Sequence, residues 1–237
     1  GFHREKCGLT FHKTYLCKIK LGIILSWYFV IKEETQRNLT ALLWDPDRRN
    51  KIRMTEKTLK IDKGWLTNTR KVISPHFDLR PDPQDISLLI IHYISLPPEE
   101  FGGSDIDDFF QGKLDPHRHP YFAEISALRV SAHCLINRAG EITQYVNFND
   151  RAWHAGVSCF EGREKCNDFA IGIELEGSNE QPFTTQQYAS LQRLTLEIMQ
   201  AYPLITKERI VGHCDVSPGR KIDPGQYFDW ARYLQAL

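Results

Sequence analysis

The chain has 237 residues, enough for one domain with a substantial core, and its 41% hydrophobic and 25% charged residues are typical of a globular protein. The formal net charge of zero hides an asymmetry, because residues 1–53 hold 11 Lys and Arg against 5 Asp and Glu, whereas residues 54–237 hold 19 against 25. An acidic main body argues against non-specific nucleic-acid binding, which needs a basic surface.

Residues 1–53 lack the period of a strand or a helix and end in a highly charged stretch. Their apolar run, 21–31, has eleven residues, fewer than the ~20 that a helix needs to cross a bilayer. No small-residue cleavage pattern follows it, so the sequence predicts neither an export signal nor a membrane anchor. We predict that residues 1–53 are a poorly structured or non-native extension and that a domain of residues 54–237 begins at Met54. A loosely packed accessory segment is the alternative.

The six cysteines form no Cys-x-x-Cys pair and no dense framework. In a chain of this size, that pattern predicts reduced thiols in a cytoplasmic protein and not a disulfide scaffold. Cys134 lies in an apolar strand pattern and is interpreted as a small buried hydrophobic residue. Cys214 directly follows His213, and a zinc ligand is the alternative interpretation of its thiol.

The main body has regular patterns. Apolar segments predict strands at 87–95, 131–137, 141–147, 169–176 and 208–213. A long helix is predicted over Thr185–Tyr202, where Thr184 and Gln187 form a capping box and Pro203 ends the helix. A shorter helix is predicted over Ile106–Gln111. Strands interleaved with helices predict an α/β fold with helices packed on a sheet.

Ionisable residues lie at or near the ends of three of these strands. His92 follows four apolar residues, Glu174 lies inside the strand 169–176, and His213 ends the strand 208–213. A core histidine and a solvated carboxylate are the simpler interpretations of these residues taken singly. Gly172 lies on the same strand face as Glu174 and is expected to leave room there for a ligand or substrate.

The loop after His213 favours a functional site. Residues 212–225 carry Lys221 and Asp223 in a segment too rich in proline and glycine for a helix. These two residues are two apart and therefore project to the same side of an extended chain. Two imidazoles and a carboxylate are a ligand set of catalytic zinc, which keeps its fourth position for water. A further carboxylate and a lysine are what metal-assisted hydrolysis of an amide also needs.

From Gly64 to the C-terminus the chain resembles the zinc-dependent N-acetylmuramoyl-L-alanine amidases. The matching stretches occur in order, at 74–81, 92–103, 115–136, 151–157, 166–177, 212–225 and 228–230. The resemblance implies an amidase or peptidoglycan-recognition-like fold, with a central mixed β-sheet flanked by helices. It is strongest to the cytoplasmic members that hydrolyse the amide between 1,6-anhydro-N-acetylmuramic acid and L-alanine in cell-wall recycling. A muropeptide substrate, Zn²⁺ as cofactor and no obligate protein partner are therefore expected.

The resemblance also implies roles for single residues. It assigns the zinc ion to His92, His213 and Asp223. It makes Glu174 the general acid and base, and it makes Lys221 the cation that stabilises the developing oxyanion.

Substrate-binding roles are expected at four further positions. Arg129 matches a position that binds the carboxylate of the peptide. Lys165 stands where the family has an arginine, which keeps the charge but loses the two-pronged hydrogen bonding. Trp153 and His154 are candidates for the wall that binds the sugar, with core packing as the alternative. Tyr93 replaces an asparagine that usually follows the first zinc ligand.

Other interpretations remain open at this point. His117 and His119 have the look of a metal pair, although the neighbouring prolines indicate a surface loop. His133 is interpreted as a strand histidine. A peptidoglycan-binding module without catalysis and an exported amidase that acts on intact wall are the alternative functions. The complete set of ligands and catalytic residues favours the enzyme, and the insertion 101–130 with the missing export signal favours the cytoplasmic one.

Overall fold

The computed structural model describes residues 58–237. The predictions about residues 1–53, including the apolar run 21–31, lie outside the described residues. Within 58–237, no helix combines the length and the apolar character needed to cross a membrane.

A mixed six-stranded sheet forms the centre of the described chain. Six further strands form three small two-stranded sheets. In chain order, the strands of the described residues are β1 (Ile61–Asp62), β2 (Trp65–Leu66), β3 (Arg70–Lys71), β4 (Phe77–Leu79), β5 (Leu88–Ile94), β6 (Cys134–Ile136), β7 (Ile142–Gln144), β8 (Asp150–Ala152), β9 (Cys159–Phe160), β10 (Arg163–Glu164), β11 (Ala170–Glu176) and β12 (Ile210–Gly212). The α-helices are α1 (Asp105–Phe110), α2 (Pro120–Ile125), α3 (Thr185–Ala201), α4 (His213–Val216) and α5 (Trp230–Gln235). Short 3-10 helices cover Cys166–Asp168 and Lys207–Arg209.

The strand order in the sheet is β12-β5-β11-β6-β7-β3. Neighbouring strands from β12 to β6 are parallel, β7 is antiparallel to β6, and β3 is parallel to β7. The predicted central mixed sheet flanked by helices is therefore confirmed. All seven residues of β11 pair with β5, and this register places Glu174 directly beside His92.

The two central strands have two different faces, because successive side chains of a strand point to opposite sides. We call one the packing face; it consists of Leu89, Ile91, Ile171, Ile173 and Leu175, which share an apolar cluster with Leu191, Leu194 and Ile198 of α3. We call the other the site face; it consists of Leu88, Ile90, His92, Ala170, Gly172 and Glu174. Ala155 and Val216 pack against its apolar end.

Most of the predicted elements are confirmed. Strands occur within each of the five predicted segments, and α3 begins with the predicted capping box, in which Thr184 accepts the backbone N–H of Gln187 at 3.1 Å. The shorter helix lies one residue earlier than predicted. Helix α2 was not predicted; His119 caps its start by accepting the N–H of Tyr121 at 3.1 Å, and Pro120 is its first residue.

The prediction that His213 ends a strand is wrong. Strand β12 ends at Gly212, and His213 is the first residue of α4. The physical reason is a cap, because the carboxylate of Asp215 accepts the backbone N–H of Gly212 at 2.7 Å and so favours a helical turn. Cys214, the residue after His213, therefore also lies in α4.

Candidate metal centre and active-site cleft

Three buried donor atoms converge where the site face of β5 meets α4 and the loop after it. The Oδ2 atom of Asp223 lies 2.9 Å from Nδ1 of His92 and 3.0 Å from Nδ1 of His213. The two Nδ1 atoms are 3.0 Å apart. Ligand atoms of a tetrahedral zinc ion at 2.0–2.1 Å are about 3.3 Å from one another, so this spacing is close to that of a zinc centre. Within residues 58–237, these three form the one group of at least three potential ligands that converges.

The remaining imidazole nitrogens are also engaged. Nε2 of His213 donates to the backbone carbonyl of Ala155 at 2.9 Å. Nε2 of His92 lies 3.0 Å from Nδ1 of His154, within hydrogen-bond distance. Metal-binding histidines commonly engage their second nitrogen in this way, which fixes the orientation of the ring. The donor set and its surroundings therefore fit a zinc ion.

Burial and hydrogen bonding adjust the charges of this group. Burial alone would raise the pKa of Asp223, but the imidazoles of His213 and His92, both within hydrogen-bond distance of its Oδ2 atom, hold that pKa below its ordinary value. Burial lowers the pKa of His92, despite the opposing effect of Asp223. A neutral imidazole and an ionised carboxylate are the forms that bind a metal ion.

Glu174 lies beside this group on β11. Its residue exposure is only 9%, and its Oε2 atom is buried without a hydrogen-bond partner in the described structure. Burial, followed by the nearby charge of Asp223, raises the pKa of Glu174 well above its ordinary value, and Lys221 opposes this effect. A carboxyl group that holds a proton more tightly than usual is suited to general acid and base catalysis.

The four residues and Lys221 open onto one cleft. This cavity of about 610 Å³ is lined by His92, Glu174, His213, Lys221 and Asp223 together with apolar side chains. The apolar lining includes Phe109, Phe110, Tyr121, Ile125 and Leu128, which come from α1, α2 and the segment after α2. The cleft therefore combines a polar centre with an apolar wall built from the insertion 101–130.

The structure places the four predicted substrate-binding residues differently. Trp153 lines the cleft, its Nε1 donates to Asp78 at 3.2 Å, and its ring stacks on His76. Arg129 is exposed between two residues that line the cleft. Lys165 is exposed and lines a neighbouring cavity of about 690 Å³. Arg220 contributes to both cavities, so the second one adjoins the cleft.

His154 lines the cleft, as expected of a residue that binds the sugar, but its ring also lies against the sheet at Gly172. The expectation that Gly172 leaves room for a ligand or substrate is wrong, because the ring of His154 fills that space. A Cβ atom at Gly172 would lie 2.4 Å from Nδ1 of His154. His154 does reach the cleft, but its Nδ1 atom faces His92.

Several other interpretations can be compared with the structure. Cys214 is not among the three converging residues, and its Sγ atom lies 3.8 Å from Asp215. His117 is exposed, and His119 caps α2, so neither belongs to the converging group found within 58–237. His133 is fully buried, accepts the N–H of Gly172 at 3.0 Å and donates to the carbonyl of Asp150 at 3.1 Å. His133 is therefore a structural histidine.

Sequence reasoning missed three residues that hold the centre together. The side-chain oxygen of Asn167 accepts the N–H groups of His154 and Ala155 at 3.1 and 2.8 Å. Arg220 donates to the carbonyls of Ala155 and Val157 at 2.6 and 2.7 Å. The third residue is Ala155, which acts through its backbone. No local pattern marks Asn167, Arg220 or Ala155, because their hydrogen-bond partners lie in other segments of the chain.

Comparison with known proteins defines the class. Residues 82–226 match the family described as N-acetylmuramoyl-L-alanine amidase. The chain belongs to this family, and it is an amidase, as the resemblance in its sequence implied.

The relatives are more specific. The chain is 76% identical over 181 residues to the 1,6-anhydro-N-acetylmuramyl-L-alanine amidase AmpD of Haemophilus influenzae, covering 76% of this chain and 98% of the relative. It is 57% identical over 173 residues to AmpD of Escherichia coli, covering 73% of this chain and 94% of the relative. A crystal structure of a selenomethionine derivative of AmpD matches with a TM-score of 0.73 and 56% identity, covering 75% of this chain and 98% of that one. The structural match confirms the predicted amidase fold.

Proposed function

We propose that this protein is a zinc-dependent amidase that hydrolyses the bond between 1,6-anhydro-N-acetylmuramic acid and L-alanine in muropeptides released during cell-wall recycling. The observation that carries the proposal is the convergence of Asp223 Oδ2 with the Nδ1 atoms of His92 and His213 beside the buried carboxyl group of Glu174. The high identity to AmpD proteins over almost their whole length supports the choice of substrate.

His92, His213 and Asp223 would hold the zinc ion. When bound, zinc polarises a carbonyl group and lowers the pKa of a bound water to about 7. Glu174 accepts a proton from the attacking water on its carboxylate and returns it to the nitrogen of the leaving L-alanine. The raised pKa of Glu174 supports this role, because the group must hold the proton between the two transfers.

Lys221 supplies positive charge on the same cleft. Its positive charge opposes the rise in the pKa of Glu174 that burial and Asp223 cause. We assign it to the oxygen on which negative charge develops as the amide carbonyl is attacked, an interaction typically worth about 3 kcal/mol.

We expect the sugar and the peptide of the substrate to occupy different parts of the cleft and its adjoining cavity. The apolar wall formed by Phe109, Ile125 and Leu128, with Trp153 nearby, fits the less polar bicyclic sugar of an anhydro-muropeptide. The peptide then extends toward positive charge, either Arg129 beside the cleft or Lys165 in the adjoining cavity. A lysine binds a carboxylate as a point charge, so the contact at Lys165 depends less on geometry than an arginine contact would.

We also propose that the protein acts in the cytoplasm, without an obligate protein partner and without binding a membrane. Cysteine usage and the similarity to recycling amidases support this location. The complete ligand set with Glu174 and Lys221 favours an enzyme over a binding module that has lost a ligand.

The test is mass spectrometry of purified 1,6-anhydro-N-acetylmuramyl peptide before and after incubation with the full chain. We expect the free sugar acid and the intact peptide with L-alanine at its new N-terminus. A chelator should abolish the reaction, and added Zn²⁺ should restore it. Glu174→Gln, which keeps the shape of the side chain, is the matched control for contaminating hydrolases.

Intact cell-wall sacculi are the comparison substrate. Faster release of peptide from sacculi than from the anhydro-muropeptide would contradict the recycling function and favour an amidase of intact wall. Binding of muropeptide without any cleavage in the presence of Zn²⁺ would contradict the enzymatic proposal and favour a binding module.

A further inference from the structure

Two consecutive residues, His154 and Ala155, contact the Nε2 atoms of the two histidines of the metal centre. Nδ1 of His154 lies 3.0 Å from Nε2 of His92. The carbonyl oxygen of Ala155 accepts the Nε2–H of His213 at 2.9 Å. His92 and His213 come from separate elements, β5 and α4, so a single short segment connects the two.

A contact at one nitrogen of an imidazole influences which of its two nitrogens carries the hydrogen. A neutral imidazole carries its hydrogen on one nitrogen, and the other nitrogen then has the lone pair that a metal ion needs. An acceptor placed at Nε2 holds the hydrogen there and leaves Nδ1 free. Both Nδ1 atoms of this centre lie within hydrogen-bond distance of Asp223, so an acceptor at each Nε2 atom would select the tautomers that can bind a metal.

The segment itself is held from two sides. Asn167 accepts the backbone N–H groups of both His154 and Ala155. Arg220 donates to the carbonyls of Ala155 and Val157 and to the hydroxyl of Ser217, which lies beyond α4. The segment is thereby tied to the end of α4, the helix that begins with His213.

Gly172 provides the space in which the ring of His154 lies. The ring of His154 packs onto the site face at Gly172, where a Cβ atom would lie 2.4 Å from Nδ1 and 2.5 Å from Cγ of the ring. These are distances that no real contact permits, so any larger residue would displace the ring. The glycine on β11 thus allows His154 to approach His92.

We propose that His154 is a positioning residue of the metal centre: its Nδ1 accepts the Nε2–H of His92, as the carbonyl of Ala155 does for His213, and together they direct both Nδ1 atoms toward the zinc ion. The inference rests on the zinc site of the proposed function. It assigns His154 a role in metal binding in addition to any contact with the sugar.

The experiment compares His154→Asn with His154→Leu. The two replacements have nearly the same size and shape and remove the same part of the ring. Asn keeps an oxygen that can accept the hydrogen of His92, whereas Leu has no acceptor.

Zinc affinity is measured on the purified full chain by competition with a chromophoric chelator. The loss of such an outer contact typically weakens metal binding by about 10- to 100-fold, and we expect this loss for His154→Leu. We expect His154→Asn to recover most of the affinity.

The outcomes separate the inference from the proposed function. A wild-type chain that binds no zinc would overturn the proposed function. A wild-type chain that binds zinc while the Asn and Leu variants bind it equally well would overturn the role of His154 alone. Thermal unfolding of the zinc-free variants shows whether both are folded, which the comparison requires.

A second measurement uses the unaltered protein and therefore does not depend on the folding of any variant. Long-range ¹H–¹⁵N NMR of the zinc-free wild-type chain, enriched in ¹⁵N-histidine, reports which nitrogen carries the hydrogen before a metal ion fixes it. We expect hydrogen on Nε2 of both His92 and His213. Hydrogen on Nδ1 of His92 would overturn the inference.

Discussion

The two faces of the central strands β5 and β11 are made by alternate residues of the same segments, yet they are stabilised in opposite ways. The packing face is entirely apolar and lies against α3, and its side chains need no particular partner. The site face carries His92 and Gly172, which both face the ring of His154, and Glu174, which opens onto the cleft. Apolar burial on the packing face stabilises the fold without specifying a reaction. Burial of ionisable groups on the site face lowers the stability of the protein, but it supplies the groups that the reaction needs.

The largest effect is expected on the site face. Glu174→Gln should lower the rate of muropeptide hydrolysis by on the order of 100-fold or more, because the amide cannot accept the proton of the attacking water. Zinc content should not change. Steady-state kinetics and metal analysis of the same preparation provide the two readouts. A rate close to that of the wild type would contradict the role of Glu174.

A matched change on the packing side should have the opposite profile. Leu194 is fully buried between α3 and the sheet, and Leu194→Ala should lower the free energy of unfolding by about 2–5 kcal/mol. The rate per folded molecule should remain near that of the wild type. Denaturant unfolding and kinetics on one preparation test both statements. Lost activity with unchanged stability would break the contrast between the two faces.

The pH dependence of stability should also distinguish the faces. The pKa of Glu174 is raised in the folded state, so at a pH above the ordinary value for glutamate the unfolded chain has lost a proton that the folded chain keeps. Stability therefore falls as the pH rises through this range, and it falls less in Glu174→Gln. Denaturant unfolding of both zinc-free proteins from about pH 4 to about pH 8 measures the difference. We expect it to be small at the acidic end and to grow with pH, and a constant difference would contradict the assigned shift.

The packing face is the part that the sequence predicts well. Its period-two apolar residues and the capping box at Thr184 are local signals, and both strands and α3 follow from them. His92, Glu174, His213 and Asp223 were also predicted as a group, because the resemblance to a family supplied what local patterns could not.

The support of the site face could not be predicted in the same way. His92 and His154 are 62 residues apart, and His213 and Ala155 are 58 apart. Their hydrogen bonds exist only after the sheet, α4 and the segment held by Asn167 have assembled. The sequence predicts open space at Gly172, but a glycine cannot by itself indicate whether a substrate or the protein's own side chain fills that space.

The smallest effect is expected from removing the N-terminal segment. Both faces and the cleft are formed by residues 58–237, so a chain that begins at Met54 should fold, bind zinc and hydrolyse the substrate. Residues 1–53 have excess positive charge and the remainder excess negative charge, but exposed ion pairs contribute only about 0–1 kcal/mol each. Thermal unfolding of the two chains is the measurement. A fall of more than about 5 °C, or about 1–2 kcal/mol, would show that residues 1–53 are part of the fold.

The most direct test of the account is a crystal structure of the zinc-loaded protein with anomalous diffraction at the zinc edge. We expect one zinc ion, bound by Nδ1 of His92, Nδ1 of His213 and a carboxylate oxygen of Asp223 at about 2.0–2.2 Å. Nδ1 of His154 should lie within hydrogen-bond distance of Nε2 of His92. A zinc ion elsewhere in the protein, or one bound by Cys214 in place of Asp223, would contradict the account.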